Sequence, residues 1–311
     1  MSINATDQNT RPIDRDAVFR HRQRAALHWA EYYRNNTRNT RIIDPSAPDF
    51  LIREVASRLS DRLLDINRHF ARALDIGCHR GQLMAMLPAG RVDQLFSFDR
   101  SYQMVANIEG DDNSCFVGDE EMIPIADDSM DLVLSCLDLQ WVNDLPGSLA
   151  QIRRILKPDG LFLAAIVGGE SLSELRQSLL YGETNVSGGV SPRVLPMIDL
   201  RDAGALLQRA GFALPVVDVD ELTFEYNDPF ALMQELRGLG WQNALSARRK
   251  KFTARAVFNT MAEHYFREFA SAEGRLPASF QILYLTAWGP HENQQIPLTP
   301  GSGKISLKEV L

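Results

Sequence analysis

The chain has 311 residues, of which 45% are hydrophobic and 23% charged, and its formal net charge at pH 7 is −7. This composition is typical of globular proteins, and the acidic balance argues against a nucleic-acid binder, which needs a basic surface to release phosphate counterions. No apolar run approaches the roughly 20 residues of a transmembrane segment, although peripheral contact with a membrane stays open.

The first 48 residues are predicted to form an N-terminal tail, a helix and a loop. Residues 1–13 are polar, residues 14–34 predict a helix, and residues 35–48 hold the asparagines and prolines that favour a loop. The start of the chain lacks the apolar core of a secretory signal, and its three aspartates are atypical of a transit peptide. Three isolated cysteines without CxxC spacing favour a reducing compartment.

Residues 49–168 are predicted to form the core domain. After a helix that begins near Phe50, short apolar strands alternate with helices. The predicted strands lie at 73–77, 95–99, 130–135 and 160–167, and the helices between them at about 80–87, 101–108 and 145–155. This alternation indicates an α/β fold, with a parallel sheet covered by helices on both faces.

The pattern becomes more helical in residues 169–289, which are predicted to supply substrate-side helices and the remaining strands. Helices are expected at 171–182, 199–210, 228–239 and 253–268, with extended segments at 213–226 and 279–289. Residues 290–311 are expected to form a tail, an extended strap rich in proline and glycine.

A glycine turn follows the first predicted strand. The run Asp75-Ile76-Gly77-Cys78-His79-Arg80-Gly81 would end a buried strand and begin a helix. Glycines let the backbone approach a ligand, and a helix N-terminus offers free N–H groups. The run lacks the G-x-G-x-x-G spacing of dinucleotide-binding proteins, so the turn alone is weak support for a nucleotide site.

Two acidic positions strengthen the prediction of a ligand site. Asp99 ends the second strand, where an acid can accept hydrogen bonds from both ribose hydroxyls. Asp119 and Glu120 precede the third predicted strand, and a carboxylate there can accept a hydrogen bond from an adenine amino group. Parallel sheets bind ligands at the carboxyl ends of their strands, so these groups should meet.

These motifs resemble those of class I S-adenosylmethionine-dependent methyltransferases, with their Rossmann-like fold. The similarity is closer to one group, the complex I assembly factors that act as arginine hydroxylases, and covers roughly residues 49–311. The segments that carry it lie at 139–146, 155–160, 168–176, 191–192, 204–212, 236–240 and 291–292. The most specific of them is the G-G-E-S-L-S-E-L-R segment at 168–176.

The resemblance implies S-adenosyl-L-methionine as cofactor and hydroxylation of an arginine in an iron–sulfur subunit of NADH:ubiquinone oxidoreductase. It implies a cytoplasmic location for a bacterial member and the matrix side of the membrane for a eukaryotic one. The predicted cofactor-binding residues are Asp75, Gly77, Cys78, His79, Gly81, Asp99, Arg100, Asp119, Glu120 and Leu137.

The predicted catalytic residues are Asp138, Trp141 and Glu170. Asp138 and Glu170, with Glu174, could pair with a guanidinium, because carboxylates match its fork of donors. No pair of histidines has the spacing of an iron-binding facial triad, so no metal site is predicted.

Several of these residues also have ordinary structural interpretations. Asp75 could orient the turn, Trp141 could be purely structural, and Glu174 could lie on a solvated helix face. His79 replaces the middle glycine of the usual family turn, where it could narrow the pocket. The basic run 248–251 is most simply a solvated helix start, with partner docking as the alternative.

Three functions remain open on the sequence alone. The first is arginine hydroxylation of a protein with S-adenosylmethionine bound. The second is methyl transfer to a small molecule, which needs no nucleophilic side chain if the substrate is held in line with the methyl group. The third is a non-catalytic assembly chaperone that binds the cofactor as a structural ligand.

Overall fold

A computed structural model of the protein describes residues 11–36, 43–108 and 114–295. Most of the predicted polar tail and most of the predicted C-terminal strap lie outside the described residues. Within the described ranges, no helix combines the length and apolar character needed to cross a membrane.

The helices and strands follow the predicted alternation. The α-helices are α1 (Arg15–Asn35), α2 (Phe50–Leu64), α3 (Gln82–Met86), α4 (Tyr102–Val105), α5 (Leu145–Ile155), α6 (Ser173–Ser187), α7 (Leu200–Arg209), α8 (Pro229–Gly238) and α9 (Arg255–Phe269). The strands are β1 (Phe70–Ile76), β2 (Val92–Asp99), β3 (Ser114–Val117), β4 (Met130–Cys136), β5 (Leu156–Val167), β6 (Ala213–Tyr226) and β7 (Leu276–Trp288). A short 3₁₀ helix spans Leu139–Trp141.

The described strands form a seven-stranded sheet in the order β3-β2-β1-β4-β5-β7-β6. β7 runs antiparallel to β5 and β6, and the other neighbouring strands are parallel. The chain begins the sheet at β1 and extends it first toward β3 and then, from β4, in the other direction. The gap between the carboxyl ends of β1 and β4 is therefore a topological switch point, where such sheets bind ligands. The predicted α/β fold is confirmed.

The sheet separates two layers of core, because alternate side chains of a strand point to opposite faces. Ala73 of β1 and Leu132 of β4 pack in the layer that includes α2. Their neighbours Leu74 and Val133 pack in the other layer, with Ile152 of α5. Both faces of the central strands are covered, as is usual for parallel strands joined by helices.

Helix α1 contacts α4 and α8, close to the carboxyl ends of the strands. Asp14 caps its start by accepting a hydrogen bond from the N–H of Ala17 (3.0 Å). The Trp29 side chain is fully buried, and its Nε1 donates to the carbonyl oxygen of Gly238 in α8 (2.9 Å). Because α1 is anchored at both places, its buried face points into the molecule beside the switch point.

Some predicted elements differ from the structure. The sequence did not predict β3, whose four residues are too few for a clear apolar pattern. β5 begins at Leu156, before the predicted strand start at residue 160, and Asp159 within it adopts a φ of 61°. The basic run 248–251 precedes α9, so its prediction as a helix start is wrong.

Candidate active site

The predicted cofactor turn follows β1 and bends sharply before α3. Gly77 and Gly81 have φ values of 66° and 79°, a region that other residues rarely adopt. The N–H of Cys78 donates to the carbonyl oxygen of Phe98 in β2 (2.9 Å), which ties the turn to the neighbouring strand. A methyl group at Gly77 would overlap the carboxyl group of Asp138. Glycine is needed there because another predicted site residue lies against its backbone.

Asp99 is fully buried at the end of β2, and both of its carboxylate oxygens are engaged. Oδ1 accepts a hydrogen bond from the N–H of Ser101 (2.7 Å), and Oδ2 accepts one from the N–H of His79 (3.2 Å). Oδ2 also accepts from Nη1 of Arg22 (3.1 Å). The acid predicted to bind a ribose thus faces an arginine of α1.

Arg22 lies at the centre of this site, although the sequence did not predict it there. Its Nη2 donates to Oδ1 of Asp138, and its Nη1 lies 3.8 Å from Oε1 of Glu120. Burial alone would lower the pKa of Arg22, but the three surrounding carboxylates raise it above its ordinary value. α1 contains several arginines, and sequence spacing does not reveal which of them the packing turns toward the sheet.

A second arginine of α1 holds the acidic loop after β3. Arg15 donates to Asp119 (2.5 Å) and to Glu120, and lies 3.1 Å from Glu121. Arg100, predicted to contact the cofactor, instead donates to the carbonyl oxygen of Arg15 (2.9 Å) and lies 3.7 Å from Asp119. The predicted adenine-side residues therefore contact α1 in this structure.

Asp75 is 1% exposed, and neither of its carboxylate oxygens has a hydrogen-bond partner among the described residues. Burial, reinforced by the charges of Asp138 and Asp99, raises the pKa of Asp75 well above its ordinary value. Oδ2 of Asp138 is likewise buried without a described partner. The switch point thus contains buried oxygen atoms whose hydrogen-bonding capacity is unused.

Glu120 is also buried among charges of both signs. Burial and the carboxylate of Asp138 raise the pKa of Glu120 to about 8, against the opposing effect of Arg22 and Arg15. Burial therefore favours the protonated form of both Asp75 and Glu120.

His79 is buried in the turn, and its Nε2 lies 3.2 Å from the carbonyl oxygen of Cys136. This contact assigns the proton of the neutral ring to Nε2 and leaves Nδ1 as an acceptor without a described partner. Burial, followed by the positive charge of Arg22, lowers the pKa of His79. The histidine is a neutral, buried part of the turn, and its side chain does not face solvent.

Cys78 and Leu137 complete the predicted cofactor contacts. Both are buried, and burial raises the pKa of the Cys78 thiol well above its ordinary value, so the thiol is protonated. Leu137 has a φ of 53° and donates its N–H to the carbonyl oxygen of Ala165 (2.8 Å). Its left-handed backbone turns the chain from β4 toward Asp138.

The hydrogen-bonding groups at the switch point fit S-adenosylmethionine. The cavity beside them, however, is too small to hold the cofactor in this arrangement of side chains. The cavity bounded by Arg15, Arg22, Glu120, Asp138 and Trp141 has a volume of about 10 Å³. That is barely room for one water molecule, whereas sites for cofactor-sized ligands measure about 300–1,000 Å³. The cofactor could enter only if the Arg22 side chain moved.

A larger cavity of about 400 Å³ lies next to this site. Trp141 lines both cavities. The large one is lined by apolar side chains, by polar groups that include His21 and Gln140, and by Arg193, Arg237, Arg248 and Arg249, and no Asp or Glu is among its lining residues. Its position and size suit an acceptor substrate. Arg193 and Arg248 pair with Glu183 and Asp14, so Arg237 and Arg249 are the arginines left to favour a partly anionic one.

The predicted acceptor residues do not all meet. Asp138 and Trp141 lie at the switch point, whereas Glu170 is exposed in the turn between β5 and α6 and does not line the large cavity. Glu174 is buried and accepts a hydrogen bond from the hydroxyl of Ser279 (2.6 Å), so it joins α6 to β7 and does not lie on a solvated face.

The described residues include no group of three or more His, Cys, Asp or Glu side chains arranged to hold a metal ion.

Comparisons with a protein-family model and with known proteins agree on the family of this chain. Residues 74–164 match the model of a methyltransferase domain. The mitochondrial arginine-hydroxylase NDUFAF5 of Danio rerio is 40% identical over 271 residues, covering 86% of this chain and 84% of that protein. The human protein of the same name is 39% identical, covering 86% and 78%. This chain belongs to the NDUFAF5 arginine-hydroxylase family.

More distant relatives share the methyltransferase core. A malonyl-[acyl-carrier protein] O-methyltransferase of Laribacter hongkongensis is 32% identical over 298 residues, covering 89% of this chain and 97% of that protein. Among solved structures, a methyltransferase-like protein of Bacillus halodurans has a TM-score of 0.54 at 14% identity, covering 76% of this chain and all of that one. That structure shows the fold of this chain, which is the Rossmann-like fold of class I methyltransferases.

Within this NDUFAF5-family chain, the arrangement has two chemical capabilities. The carboxylates of Asp99, Glu120 and Asp138 can hold a guanidinium, since they do so with Arg22. The adjoining cavity can receive a group of considerable size beside Trp141. Both features lie outside the carboxyl ends of parallel strands, where this fold places its chemistry.

Proposed function

We propose that the protein binds S-adenosylmethionine at the switch point between β1 and β4 and hydroxylates an arginine of a partner protein. By resemblance to its family, the partner is an iron–sulfur subunit of NADH:ubiquinone oxidoreductase, modified during assembly of that complex. The reaction would take place in the cytoplasm of a bacterium or on the matrix side in a mitochondrion.

One observation in the structure carries the arginine assignment. Asp99, Glu120 and Asp138 surround a guanidinium that is almost completely removed from solvent. A guanidinium stays charged and is costly to bury unless carboxylates accept its hydrogen bonds. A site that already satisfies this requirement for an internal arginine has the chemistry to accept one from a partner.

S-adenosylmethionine, when bound, would supply a sulfonium-activated methyl group, which serves the methyl-transfer alternative. Hydroxylation instead inserts one oxygen atom and removes two electrons from the substrate, so it would also need an oxidant from outside the protein, such as dioxygen with a reductant. Asp99 would accept hydrogen bonds from the ribose of the cofactor, Asp119 or Glu120 from its adenine amino group, and the backbone of Gly77 and Gly81 would face its methionine part. The buried oxygens of Asp75 and Asp138 that lack a described partner support a ligand at the same switch point, because buried polar groups usually have a partner.

The cofactor assignment predicts the effect of Asp99→Asn. The substitution removes a charged acceptor, so S-adenosylmethionine should bind about tenfold more weakly or worse, a loss of ~1.5–3 kcal/mol. Calorimetric titration measures it. Asp93→Asn is the matched control, because Asp93 lies on the same strand but is 63% exposed. Equal affinities of both variants would remove Asp99 from the cofactor site.

The reaction itself is tested on the partner. The iron–sulfur subunit is isolated from cells with and without this protein, and its peptides are compared by mass spectrometry. An arginine heavier by one oxygen atom supports hydroxylation, and a gain of one methylene unit indicates methylation instead. No modification in either sample would support the chaperone alternative.

Glu170 remains a proposed acceptor contact. It follows Gly169, whose N–H donates to the carbonyl oxygen of Ile198 (3.0 Å), and the adjacent Met197 lines the large cavity. An arginine entering from that side would pass near the exposed Glu170 carboxylate. Trp141 is proposed as the wall between the cofactor and the acceptor.

The large cavity favours a second candidate function, methyl transfer to a small molecule. Its lining is apolar with four arginines and no acid. Arg193 and Arg248 are paired with Glu183 and Asp14, which leaves Arg237 and Arg249 to favour an anionic substrate with an apolar body over a guanidinium. The relatives named malonyl-[acyl-carrier protein] O-methyltransferases agree with this alternative. Incubation with labelled S-adenosylmethionine and a medium-chain dicarboxylate separates the two, because only a methyltransferase would label the small acid.

A further inference from the structure

The side chain of Arg22 makes contacts that resemble those of a bound ligand. The residue is 5% exposed, and its two terminal nitrogens pair with different residues, Nη1 with Asp99 and Nη2 with Asp138. The planar fork of a guanidinium can reach two carboxylates in this way, whereas a lysine ammonium is a single point charge. The site is thus selective for the guanidinium group.

The carboxylate site has more acceptor capacity than Arg22 uses. Oδ2 of Asp138 is buried without a described partner, and so are both oxygens of Asp75, which is itself 1% exposed. A cluster formed only to neutralise one internal arginine would have no need of these further polar groups. Their presence indicates a site built for a ligand with more hydrogen-bonding groups than Arg22 provides.

The contacts of Arg22 coincide with those expected of the two reactants. Asp99 is the proposed ribose acceptor, and Asp138 lies where the acceptor substrate should approach. The space left beside Arg22 is about 10 Å³, so the guanidinium and the reactants cannot be present together. Arg22 and the ligands therefore compete for the same groups.

We propose that Asp99, Glu120 and Asp138 form a guanidinium-binding site that α1 fills with Arg22 as an internal substitute for the substrate arginine. S-adenosylmethionine displaces Arg22 from Asp99, and the substrate guanidinium takes its place at Asp138 and Glu120. The identity of these two ligands rests on the proposed function, whereas the guanidinium site rests on the contacts of Arg22 alone.

Displacement requires α1 itself to move. Val18 and Phe19, one turn before Arg22, line the same small cavity and cover it. Arg15 holds the start of the helix on the loop that carries Glu120. The guanidinium cannot reach solvent while these contacts persist, so ligand entry loosens α1.

The first experiment is chemical rescue of Arg22→Ala. The variant loses the only cation in contact with Asp138 among the described residues, so its unfolding temperature should fall. Millimolar methylguanidinium should raise that temperature again, and methylammonium should do so much less. Wild type and Arg24→Ala, an exposed position of the same helix, should not respond to either ion.

The same variant should bind S-adenosylmethionine about tenfold more tightly than wild type, because no internal group then competes for Asp99. Equal responses to methylguanidinium in the variant, wild type and Arg24→Ala would overturn the guanidinium site. Weaker cofactor binding by the variant would overturn the competition.

If Arg22→Ala does not fold, hydrogen–deuterium exchange on wild type decides the question. Saturation with S-adenosylmethionine should accelerate exchange of the amides of α1, and unchanged or slower exchange would overturn displacement. The rescue uses neither cofactor nor partner, so failure of the proposed hydroxylation would leave its result intact, and failure of the rescue would leave the hydroxylation assay intact.

Discussion

At Gly77 two requirements of the site meet in one residue. The backbone has a φ of 66°, and the carboxyl group of Asp138 occupies the position where any side chain would begin. The first requirement concerns the chain itself, and the second concerns a residue about 60 positions away, brought near by the pairing of β1 with β4. A substitution at Gly77 tests both the backbone conformation and the contact with Asp138. A control glycine with a similar conformation but no such contact separates the two effects.

Gly77→Ala should lower the free energy of unfolding more than Gly90→Ala. Gly90 has a similar φ of 74° but no atom within 4 Å of an added methyl group. The left-handed backbone costs about 1–2 kcal/mol at either position, and displacement of Asp138 from Arg22 should at least double the loss at Gly77. Urea unfolding measures the free energy of unfolding of both variants. Equal losses would show that the Asp138 side chain can move away from Gly77 without cost.

Asp75 is a second residue whose burial has a measurable consequence. Its pKa is raised in the folded protein, first by burial and then by Asp138 and Asp99. The folded state therefore keeps a proton that the unfolded chain releases above its ordinary pKa of about 3.9. The stability contributed by that proton is complete below this pH and is lost progressively as the pH rises toward the folded pKa.

Asp75→Asn should remove this pH dependence. From about pH 4 up to the raised pKa of the folded state, the variant should gain stability relative to wild type by up to ~1.4 kcal/mol for each pH unit. At pH 3 the two should differ little in this respect. Asp61→Asn, at an exposed position of α2, is the control and should follow wild type. If the free energy of unfolding depended on pH in the same way for Asp75→Asn and wild type, Asp75 would be ionised in the folded protein.

Among the elements, α6 and α9 approach each other closely because of a glycine. A methyl group at Gly182 of α6 would lie 2.5 Å from the carbonyl oxygen of Val257 and 3.1 Å from Cβ of Met261. α9 cannot shift freely, since Met261 and Tyr265 are buried in the core and the Tyr265 hydroxyl donates to Pro277 of β7 (2.7 Å). A side chain at Gly182 would therefore favour the helix but overpack against α9.

Gly182→Ala should destabilise the protein by about 1–2 kcal/mol, although alanine favours a helix by about 1 kcal/mol, because overpacking against backbone costs ~1–3 kcal/mol. Gly204→Ala in α7 is the counterpart. Its nearest neighbour to an added methyl group is 3.9 Å away, so only the helix preference acts, and stability should rise by about 0.5–1 kcal/mol. Thermal and urea unfolding would show the opposite signs, and a gain in both variants would mean that α9 moves aside.

The segment from Gly168 to Arg176 shows how a motif can be specific and still be mainly structural. The hydroxyl of Ser171 donates to the carbonyl oxygen of Gln281 (3.0 Å), and Arg176 donates to the carbonyl oxygens of Gly169 and Ser171 (3.0 Å each). These bonds fasten the turn after β5 to β7. The exposed carboxylate of Glu170 is the part of the motif that is free to meet a partner.

On the scale of the whole molecule, the segment before α1 joins two distant parts of the chain beside the site. Asp14, before α1, pairs with Arg248 (2.7 Å), and the N–H of Ile13 donates to Asn143 after β4 (2.9 Å). The large cavity takes its lining both from α1, through His21, and from the segment around Trp241. Movement of α1 would therefore alter the cofactor site and the acceptor cavity together.

The sequence was sufficient for the central strands of the sheet and for its ligand-binding edge, although it did not reveal β3. Apolar strands of the right length, alternating with helices, predict β1, β2, β4 and β5 because burial on both faces requires continuous apolar runs. The acid that ends β2 and the glycine turn after β1 are set by local chain geometry. Since parallel strands align their carboxyl ends, the approximate meeting of the turn after Asp75 with Asp99 followed from sequence order.

The roles of the arginines and glutamates were decided only by the tertiary structure. Nothing local distinguishes Arg22 from the exposed Arg24, and it is the docking of α1 that buries the first among carboxylates and leaves the second in solvent. Likewise Glu174 pairs with Ser279 of β7, a partner about 100 residues away. Charged side chains bind whatever partners packing brings to them, and these partners lie far apart along the chain, whereas strands and turns are specified by their own neighbours.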